Sequence, residues 1–109
     1  MKRMLLFIER SYTERVTLAQ ISEAGMVGQS TCCRLFARFV NMSPVAYLNR
    51  YRLWKSTELL RDTDASVTEV ALSVGFGGAS CYAESFRAWQ GMSPSAYRRE
   101  NGRQGGVGA

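Results

Sequence analysis

The 109-residue chain contains no histidine, and it has only three cysteines and two prolines. Histidine is the commonest general base in enzymes, so its absence weakens the case for catalysis. A structural zinc site usually takes four ligands in paired spacing, which three cysteines, two of them adjacent, do not supply. The chain also has no nucleophile elbow and no phosphate-binding loop. We therefore expect neither enzymatic activity nor a metal or cofactor.

Long apolar runs are missing as well. No segment approaches the roughly 20 apolar residues that cross a bilayer, and the apolar start from Met1 to Ile8 is too short for a signal peptide. The few cysteines do not indicate a disulfide framework, which favours a reducing compartment. We therefore expect a cytoplasmic protein without a membrane partner, folded as one compact domain or as two coupled lobes.

Acidic residues are absent between residues 24 and 57. The same stretch contains five basic residues, which equal the net charge of the whole chain, +5: Arg34, Arg38, Arg50, Arg52 and Lys55. A basic stripe of this kind suits a polyanionic partner. The alternative is a solvated surface that carries scattered arginines.

The chain contains one sequence module twice. The segment FARFVNMSPVAY at residues 36–47 returns fifty residues later as FRAWQGMSPSAY at residues 86–97. Each copy follows a short apolar helical pattern, a break that contains glycine, and a second helical pattern. A short helix, a tight turn and a second helix form the arrangement that places a helix in the major groove of DNA. Two such units on a basic chain make nucleic acid the leading candidate partner.

Apolar residues at spacings of three and four predict helices throughout and no strand. The fold class is therefore all-α with seven helices, at about residues 2–12, 17–24, 29–40, 44–61, 66–74, 79–89 and 94–100. Thr17 with Gln20 and Ser66 with Glu69 have the form of capping boxes at the second and fifth helices. The tail at residues 102–109 is rich in glycine and has little to bury, so we expect it to be disordered.

Aromatic residues fall at the same helical spacings, and we expect them to form the core rather than to stack on bases. This expectation covers Phe36, Phe39, Tyr47, Trp54, Tyr82, Phe86, Trp89 and Tyr97. Cys32 shares the apolar face of the third helix, so we expect it to be buried too.

Several short motifs stand in matching order in the two halves. The first half contains LAQISEA (18–24), CCRLF (32–36), NMSP (41–44) and YLNRYRL (47–53), and the second contains VTEVA (67–71), VGF (74–76), SCY (80–82), GMSP (91–94) and YR (97–98). Taken together, these motifs resemble the DNA-binding domain of AraC/XylS-family transcription regulators, and the resemblance covers about residues 4–99.

The resemblance implies two helix-turn-helix lobes joined by a long central helix. The domain would occupy residues 1–101, with lobe one at about 2–43, the connecting helix at about 44–61 and lobe two at about 62–101. Two recognition helices, at about 29–40 and 79–89, would enter successive major-groove segments on one face of a duplex. A duplex bound in this way has to tolerate or adopt a bend.

Candidate DNA contacts follow from the resemblance and from the polar faces of these two helices. We expect base contacts from Gln29, Ser30, Cys33, Arg34, Ser80, Cys81 and Glu84, and phosphate contacts from Arg38, Arg50 and Arg87. Arg34 is the strongest candidate base reader, because arginine can bind guanine through two hydrogen bonds; a phosphate contact is the alternative. Arg52 resembles an arginine that ties the two lobes together in the family, so we expect a structural role for it.

Glu84 occupies the position in the second unit that matches Arg34 in the first, where the family often carries a basic residue. A carboxylate that faces phosphates repels them, whereas one that faces a cytosine amino group accepts a hydrogen bond. The third alternative is a solvated side chain that pairs with Arg87 or Arg61.

These observations favour a sequence-specific transcription regulator that binds double-stranded DNA and performs no chemistry. One alternative is a thiol-based redox regulator with Cys33 and Cys81 as sensors, and another is a helical protein-interaction module. Activation of transcription would also need a contact with RNA polymerase, which the sequence does not locate. Many members of the family carry a separate effector domain, and the sequence leaves open whether this chain is a whole protein or one domain.

Overall fold

A computed structural model describes residues 1–102, which form seven α-helices and no strand. The helices are α1 (Lys2–Ser11), α2 (Leu18–Ala24), α3 (Gln29–Val40), α4 (Pro44–Asp62), α5 (Val67–Ser73), α6 (Ala79–Gln90) and α7 (Pro94–Asn101). The predicted all-α fold of seven helices is confirmed, and each predicted helix end lies within one residue of the observed end. In this described part of the chain, no helix is both long enough and apolar enough to cross a membrane.

The two predicted capping boxes explain where α2 and α5 begin. The Thr17 hydroxyl accepts a hydrogen bond from the backbone N–H of Gln20 at 3.2 Å, and the Gln20 side chain accepts one from the N–H of Thr17 at 2.9 Å. Ser66 and Glu69 exchange the same two bonds, at 3.0 and 2.8 Å. Both boxes are therefore confirmed, and each satisfies two backbone donors that a helix start otherwise leaves without a partner.

Two Ser-Pro steps set the beginnings of α4 and α7 in the same manner. The hydroxyls of Ser43 and Ser93 each accept a hydrogen bond from the N–H three residues ahead, at 3.1 Å in both cases. The proline that follows lacks an N–H and already has a helical φ, so it fits the first position of a helix. The repeated NMSP and GMSP motifs are therefore helix starts.

The chain divides into two compact units, Met1–Tyr51 (unit 1) and the residues from Arg52 onward (unit 2). The division lies inside α4, whose first half belongs to unit 1 and whose second half belongs to unit 2. The sequence predicted α4 as a connecting helix between lobes at about residues 2–43 and 62–101, and this division stays a prediction.

Only the first residue of the predicted disordered tail lies within the described part of the chain. Gly102 is buried, and its N–H donates to the carbonyl of Arg98 at 2.7 Å, so it ends α7 as a cap rather than opening the tail. The rest of the predicted tail, residues 103–109, lies outside the described residues.

In unit 1 each helix contributes one or two side chains to the core. The fully buried core consists of Met4, Ile8, Ile21, Cys32, Phe36 and Leu48. The two buried residues of α1 are four positions apart, as are the two of α3, so each pair lies on one face of its helix. The predicted burial of Cys32 and Phe36 is confirmed.

Unit 2 is packed in the same way. Its buried apolar side chains are Leu53, Leu60, Val70, Ala71, Val74, Phe76, Tyr82 and Phe86. Tyr82 and Phe86 repeat the four-residue spacing of Cys32 and Phe36. Burial raises the pKa of the Tyr82 phenol to about 12.

The turn between α2 and α3 in unit 1, and the turn between α5 and α6 in unit 2, each contain a residue in the left-handed conformation. Met26 has φ 57° after α2, and Gly75 has φ 98° after α5. In both units an N–H beyond the turn closes back on a carbonyl of the preceding helix, from Val27 to Ser22 at 3.1 Å and from Phe76 to Ala71 at 2.9 Å. This is a Schellman ending. Unit 1 forms it with a methionine, although glycine would carry no steric cost there.

Each unit also contains the same aromatic contact. The rings of Phe36 and Tyr47 meet edge to face with their centroids 5.8 Å apart, and those of Phe86 and Tyr97 do so at 5.4 Å. Such pairs contribute about 0.5–1.5 kcal/mol beyond the burial of their area. The repeat visible in the sequence is therefore a repeat of packing, of α3 against α4 in unit 1 and of α6 against α7 in unit 2.

Two aromatic side chains that were expected in the core are exposed, so the prediction was wrong for them. Phe39 has the angular position of a buried residue, but it lies about 4.5 Å further along the α3 axis than Phe36, past the last buried side chain of that helix, and is 61% exposed. Trp54 lies about 100° around α4 from the buried Leu53 and is 52% exposed.

Removal of the central ring of either unit should unfold that unit at lower denaturant concentration. We expect Phe36→Ala and Phe86→Ala each to lower the free energy of unfolding by roughly 3–5 kcal/mol, because each ring is fully buried. Chemical denaturation measures this loss, and hydrogen exchange should show reduced protection in the unit that carries the change. The matched control is Phe39→Ala, whose loss should stay below about 1 kcal/mol. A loss that small for Phe36 or Phe86 would contradict the assigned helix faces.

Gly25 should not tolerate alanine. A Cβ at this position would lie 2.5 Å from Cγ of Met4, whose side chain is fully buried. We expect Gly25→Ala to lower the free energy of unfolding by about 1–3 kcal/mol, because an overpacked core forces its neighbours to shift. Gly77→Ala is the control, since a Cβ there meets nothing within 4 Å. Equal midpoints of thermal unfolding for the two variants would show that Met4 moves aside at no cost.

Candidate nucleic-acid interface

The outer face of α3 is determined by what its inner face buries. At about 100° per residue, Arg34 lies opposite the midpoint between Cys32 and Phe36, which are both fully buried. The Arg34 side chain is exposed. When one side of a helix is buried, the residue on the opposite side points furthest outward. Arg34 is therefore at the centre of the exposed face of α3.

The remaining contacts predicted for unit 1 are all exposed except one. Gln29 and Ser30 are exposed in the first turn of α3, and Arg38 is exposed one turn beyond Arg34. Arg50 is exposed on α4. Cys33 is only half-buried rather than open, because it lies at the edge of the buried stripe.

The outer face of α6 has the same geometry with different side chains. Glu84 lies opposite the midpoint between the fully buried Tyr82 and Phe86 and is exposed. The other predicted contacts on α6, namely Ser80, Cys81 and Arg87, are exposed as well. The structure thus brings four of the predicted residues of unit 2 together on one helix.

One residue that sequence reasoning missed contacts the predicted base reader. Nη2 of Arg34 donates to the hydroxyl of Thr31 at 3.3 Å, within α3. This hydrogen bond engages one nitrogen of the exposed guanidinium. The spacing of three residues on a helix was a usable signal, because side chains at that spacing are neighbours on the surface.

The helices α3 and α6 begin without the kind of side-chain cap that several other helices have. Gly28 and Gly78 precede them, no side chain accepts a hydrogen bond at either cap, and neither first turn contains an acid. By contrast, side chains cap α2, α5 and α7. The first N–H groups of α3 and α6 therefore have no side-chain cap, and they lie at the positive end of the helix dipole, which favours an anion nearby.

The basic stretch in the middle of the chain contributes fewer exposed charges to the surface than the sequence indicates. Arg52 is only 9% exposed, and burial lowers the pKa of its guanidinium. Nζ of Lys55 forms an ion pair with Glu58 at 3.3 Å and lies 5.4 Å from the centroid of the Trp54 ring. Only three of the five basic residues, Arg34, Arg38 and Arg50, are exposed. The burial of Arg52 fits a structural role better than a contact with a partner.

The three cysteines are free thiols in different surroundings. Cys32 is buried, Cys33 is half-buried and Cys81 is exposed. Burial raises the pKa of the Cys32 thiol, and the neighbouring Cys33 raises it further. Cys32 is therefore an unreactive part of the core.

The exposed carboxylate of Glu84 is not neutralised in the way that one sequence alternative supposed. Nε of Arg61 pairs with Oδ1 of Asp62 at 3.0 Å instead. Within residues 1–102, Glu84 forms no ion pair, either with Arg61 or with Arg87. The pairing alternative for Glu84 was therefore wrong, and its charge is presented to whatever approaches α6.

The helices α2 and α3 in unit 1, and α5 and α6 in unit 2, define a tandem helix-turn-helix domain. A family model described as a helix-turn-helix domain matches residues 21–100. Among similar curated proteins, the uncharacterized HTH-type transcriptional regulator YdeC of Bacillus subtilis (strain 168) is 40% identical over 101 residues, 93% of this chain and 35% of that protein. The melibiose operon regulatory protein of Escherichia coli (strain K12) is 30% identical over 97 residues, 89% of this chain and 32% of that protein.

Solved structures share the arrangement of helices found in this chain. An AraC-type transcriptional regulator from Chromobacterium violaceum superposes with a TM-score of 0.87 at 20% identity, over 94% of this chain and 91% of that one, which shows the shared fold. The DNA-binding domain of AdpA, a global transcriptional factor solved in complex with a target DNA, superposes with a TM-score of 0.86 at 25% identity, over 91% and 89% of the two chains.

The chain therefore belongs to the AraC-type helix-turn-helix family of transcription regulators, as the sequence motifs indicated. It spans about a third of the length of the curated relatives that it matches. The comparisons support the transcription-regulator interpretation and give no support to a redox sensor or a protein-interaction module.

Proposed function

We propose that this chain binds specific sites in double-stranded DNA by placing α3 and α6 in successive major-groove segments. The observation that carries the proposal is the repeated geometry, in which each helix-turn-helix buries one face of its second helix and exposes the other. A major groove about 12 Å wide admits one α-helix. The AdpA domain, whose solved complex contains its target DNA, lends further support.

In unit 1, Arg34 reads a base and the start of α3 positions it. Arginine at the centre of the outer face reaches the groove floor, where guanine offers two acceptors, O6 and N7. Gln29 and Ser30 stand at the N-terminal turn, which approaches bases and phosphates in this mode of docking. Cys33 adds a small contact surface beside them.

Arginines away from the centre of the outer faces bind phosphates. Arg38 lies beyond Arg34 on α3, Arg50 lies on α4, and Arg87 lies near the end of α6. Contacts of this kind hold the register of a protein on the duplex and carry no sequence information. In unit 2, Ser80 and Cys81 face the bases but offer few strong donors, so this unit contributes shape reading and affinity as well as selection.

The protein as proposed binds DNA without performing chemistry, in the bacterial cytoplasm where chromosomal DNA lies. Transcription activation would require a further contact with RNA polymerase. The curated relatives are about three times as long as the matched segment, so we place effector binding and any oligomerisation in the parts of such proteins outside that segment.

Affinity for duplex DNA should fall steeply as salt rises. Arg38, Arg50 and Arg87 together would neutralise three phosphates, which corresponds to a slope of log K against log salt of about −2.7, at about −0.9 for each phosphate. Fluorescence anisotropy with a labelled duplex between low and moderate salt measures this slope.

A charge-matched pair of variants localises the effect. Arg38→Gln should reduce the magnitude of the slope by about 0.9, whereas Arg10→Gln, an exposed site on α1, should leave it unchanged. Affinity that does not vary with salt would rule out the DNA-binding proposal, and an equal change in both variants would place the phosphate contacts elsewhere.

Arg34→Ala should weaken binding to the preferred site and broaden base preference. We expect a loss of about 1–3 kcal/mol and a relaxed preference at one or two base pairs, as for an arginine that binds guanine through two hydrogen bonds. Selection of bound sites from random duplexes, with the wild-type protein and the variant in parallel, measures both quantities. A uniform loss on all sequences would mean that Arg34 binds a phosphate.

A further inference from the structure

The two halves of the chain carry opposite charges at the same point of the same fold. Arg34 in α3 and Glu84 in α6 each lie two residues after one buried side chain and two before the next. Each is therefore the most outward residue of its helix. The two copies agree in their turns, caps and aromatic contacts, so the two opposite charges stand at equivalent positions of the same framework.

The position of Glu84 determines which part of a duplex it can face. An α-helix with its side chains is about 10–12 Å across, so it fills a major groove about 12 Å wide and 8.5 Å deep. The centre of its outer face then points to the base edges on the groove floor, and residues to either side face the phosphates of the walls. A carboxylate at the centre is thus directed to bases and held away from the phosphates.

The bases differ sharply in what they offer a carboxylate. Guanine and thymine present acceptor oxygens on the groove floor, which repel it. Adenine presents its N6 amino donor beside the N7 acceptor, so one carboxylate oxygen gains a hydrogen bond and the other meets a lone pair. Cytosine presents its N4 amino donor with no acceptor of its own at that edge. Cytosine is therefore the base that best accommodates Glu84.

We infer that Glu84 is a specificity-determining residue, by which α6 selects cytosine at one position of its major-groove segment. The inference rests on the proposed function and adds a base choice to it. The absence of any ion pair to Glu84 within residues 1–102 leaves both of its carboxylate oxygens able to accept. Arg34 and Glu84 would then read opposite members of a G·C pair in their respective segments.

The test compares wild type with Glu84→Gln, which keeps the size of the side chain and removes its charge. Sites are first selected from random duplexes with each protein, and affinities are then measured on the wild-type site and on random duplex. Glutamine pairs with adenine through N6 and N7, so one position should change from cytosine to adenine. Affinity for the wild-type site should fall about 5-fold to 10-fold relative to random duplex, the loss of one base contact.

Glu100→Gln is the charge-matched control, since it removes one negative charge from an exposed site on α7 in the same unit. Its selected sites should match those of wild type. Because Glu84 is exposed, both variants should unfold at the wild-type temperature, which separates a binding effect from a folding effect.

Three results would overturn the inference while the proposed function stands: Glu84→Gln tightens binding equally to all sequences, it changes nothing, or the position that changes is not cytosine in the wild-type site. The first would make Glu84 a phosphate repellent, and the second a solvated side chain. If wild type itself shows no preference among duplexes, the proposed function fails along with the inference.

Discussion

The rest of the structure depends on one constraint, namely which face of α3 and of α6 is fixed against the core. In each helix two fully buried side chains four residues apart, Cys32 and Phe36 or Tyr82 and Phe86, turn one face inward. Exposure of a large apolar side chain costs about 1.5–3 kcal/mol, so neither helix can roll without a large penalty. Hydrophobic burial thereby decides which polar residues of α3 and α6 face outward, although those residues are not themselves buried.

A comparison of the two units shows which features of the repeated module are shared and which differ. The left-handed turn residue differs between them, Met26 in one and Gly75 in the other, yet the closing backbone hydrogen bonds are the same. Packed interiors respond to a change of a single methylene, whereas most surface substitutions alter stability little. The two units thus share the buried phenylalanine, Phe36 or Phe86, and differ in charge on the outer faces of α3 and α6, where Arg34 and Glu84 stand at equivalent positions.

The charge of the chain is unevenly divided between the units. Residues 1–51 contain seven basic and three acidic side chains, a net charge of +4, and residues 52–109 contain seven and six, a net charge of +1. Attraction to a duplex grows with the number of cations that meet phosphates. Under the proposed function, unit 1 would supply most of the salt-dependent affinity together with the base contact of Arg34, and unit 2 would add its selection with a smaller electrostatic gain.

The sequence alone determined the helices, their capping boxes and the inward positions of Cys32 and Phe36. These features depend on contacts between residues no more than four positions apart, such as Thr17 with Gln20, which a linear pattern records. Only the tertiary structure decided that Phe39 and Trp54 are exposed, that Arg52 is buried and that Glu84 has no partner in residues 1–102. Periodicity specifies the face of a helix, but how far a core extends along that face depends on segments distant in sequence.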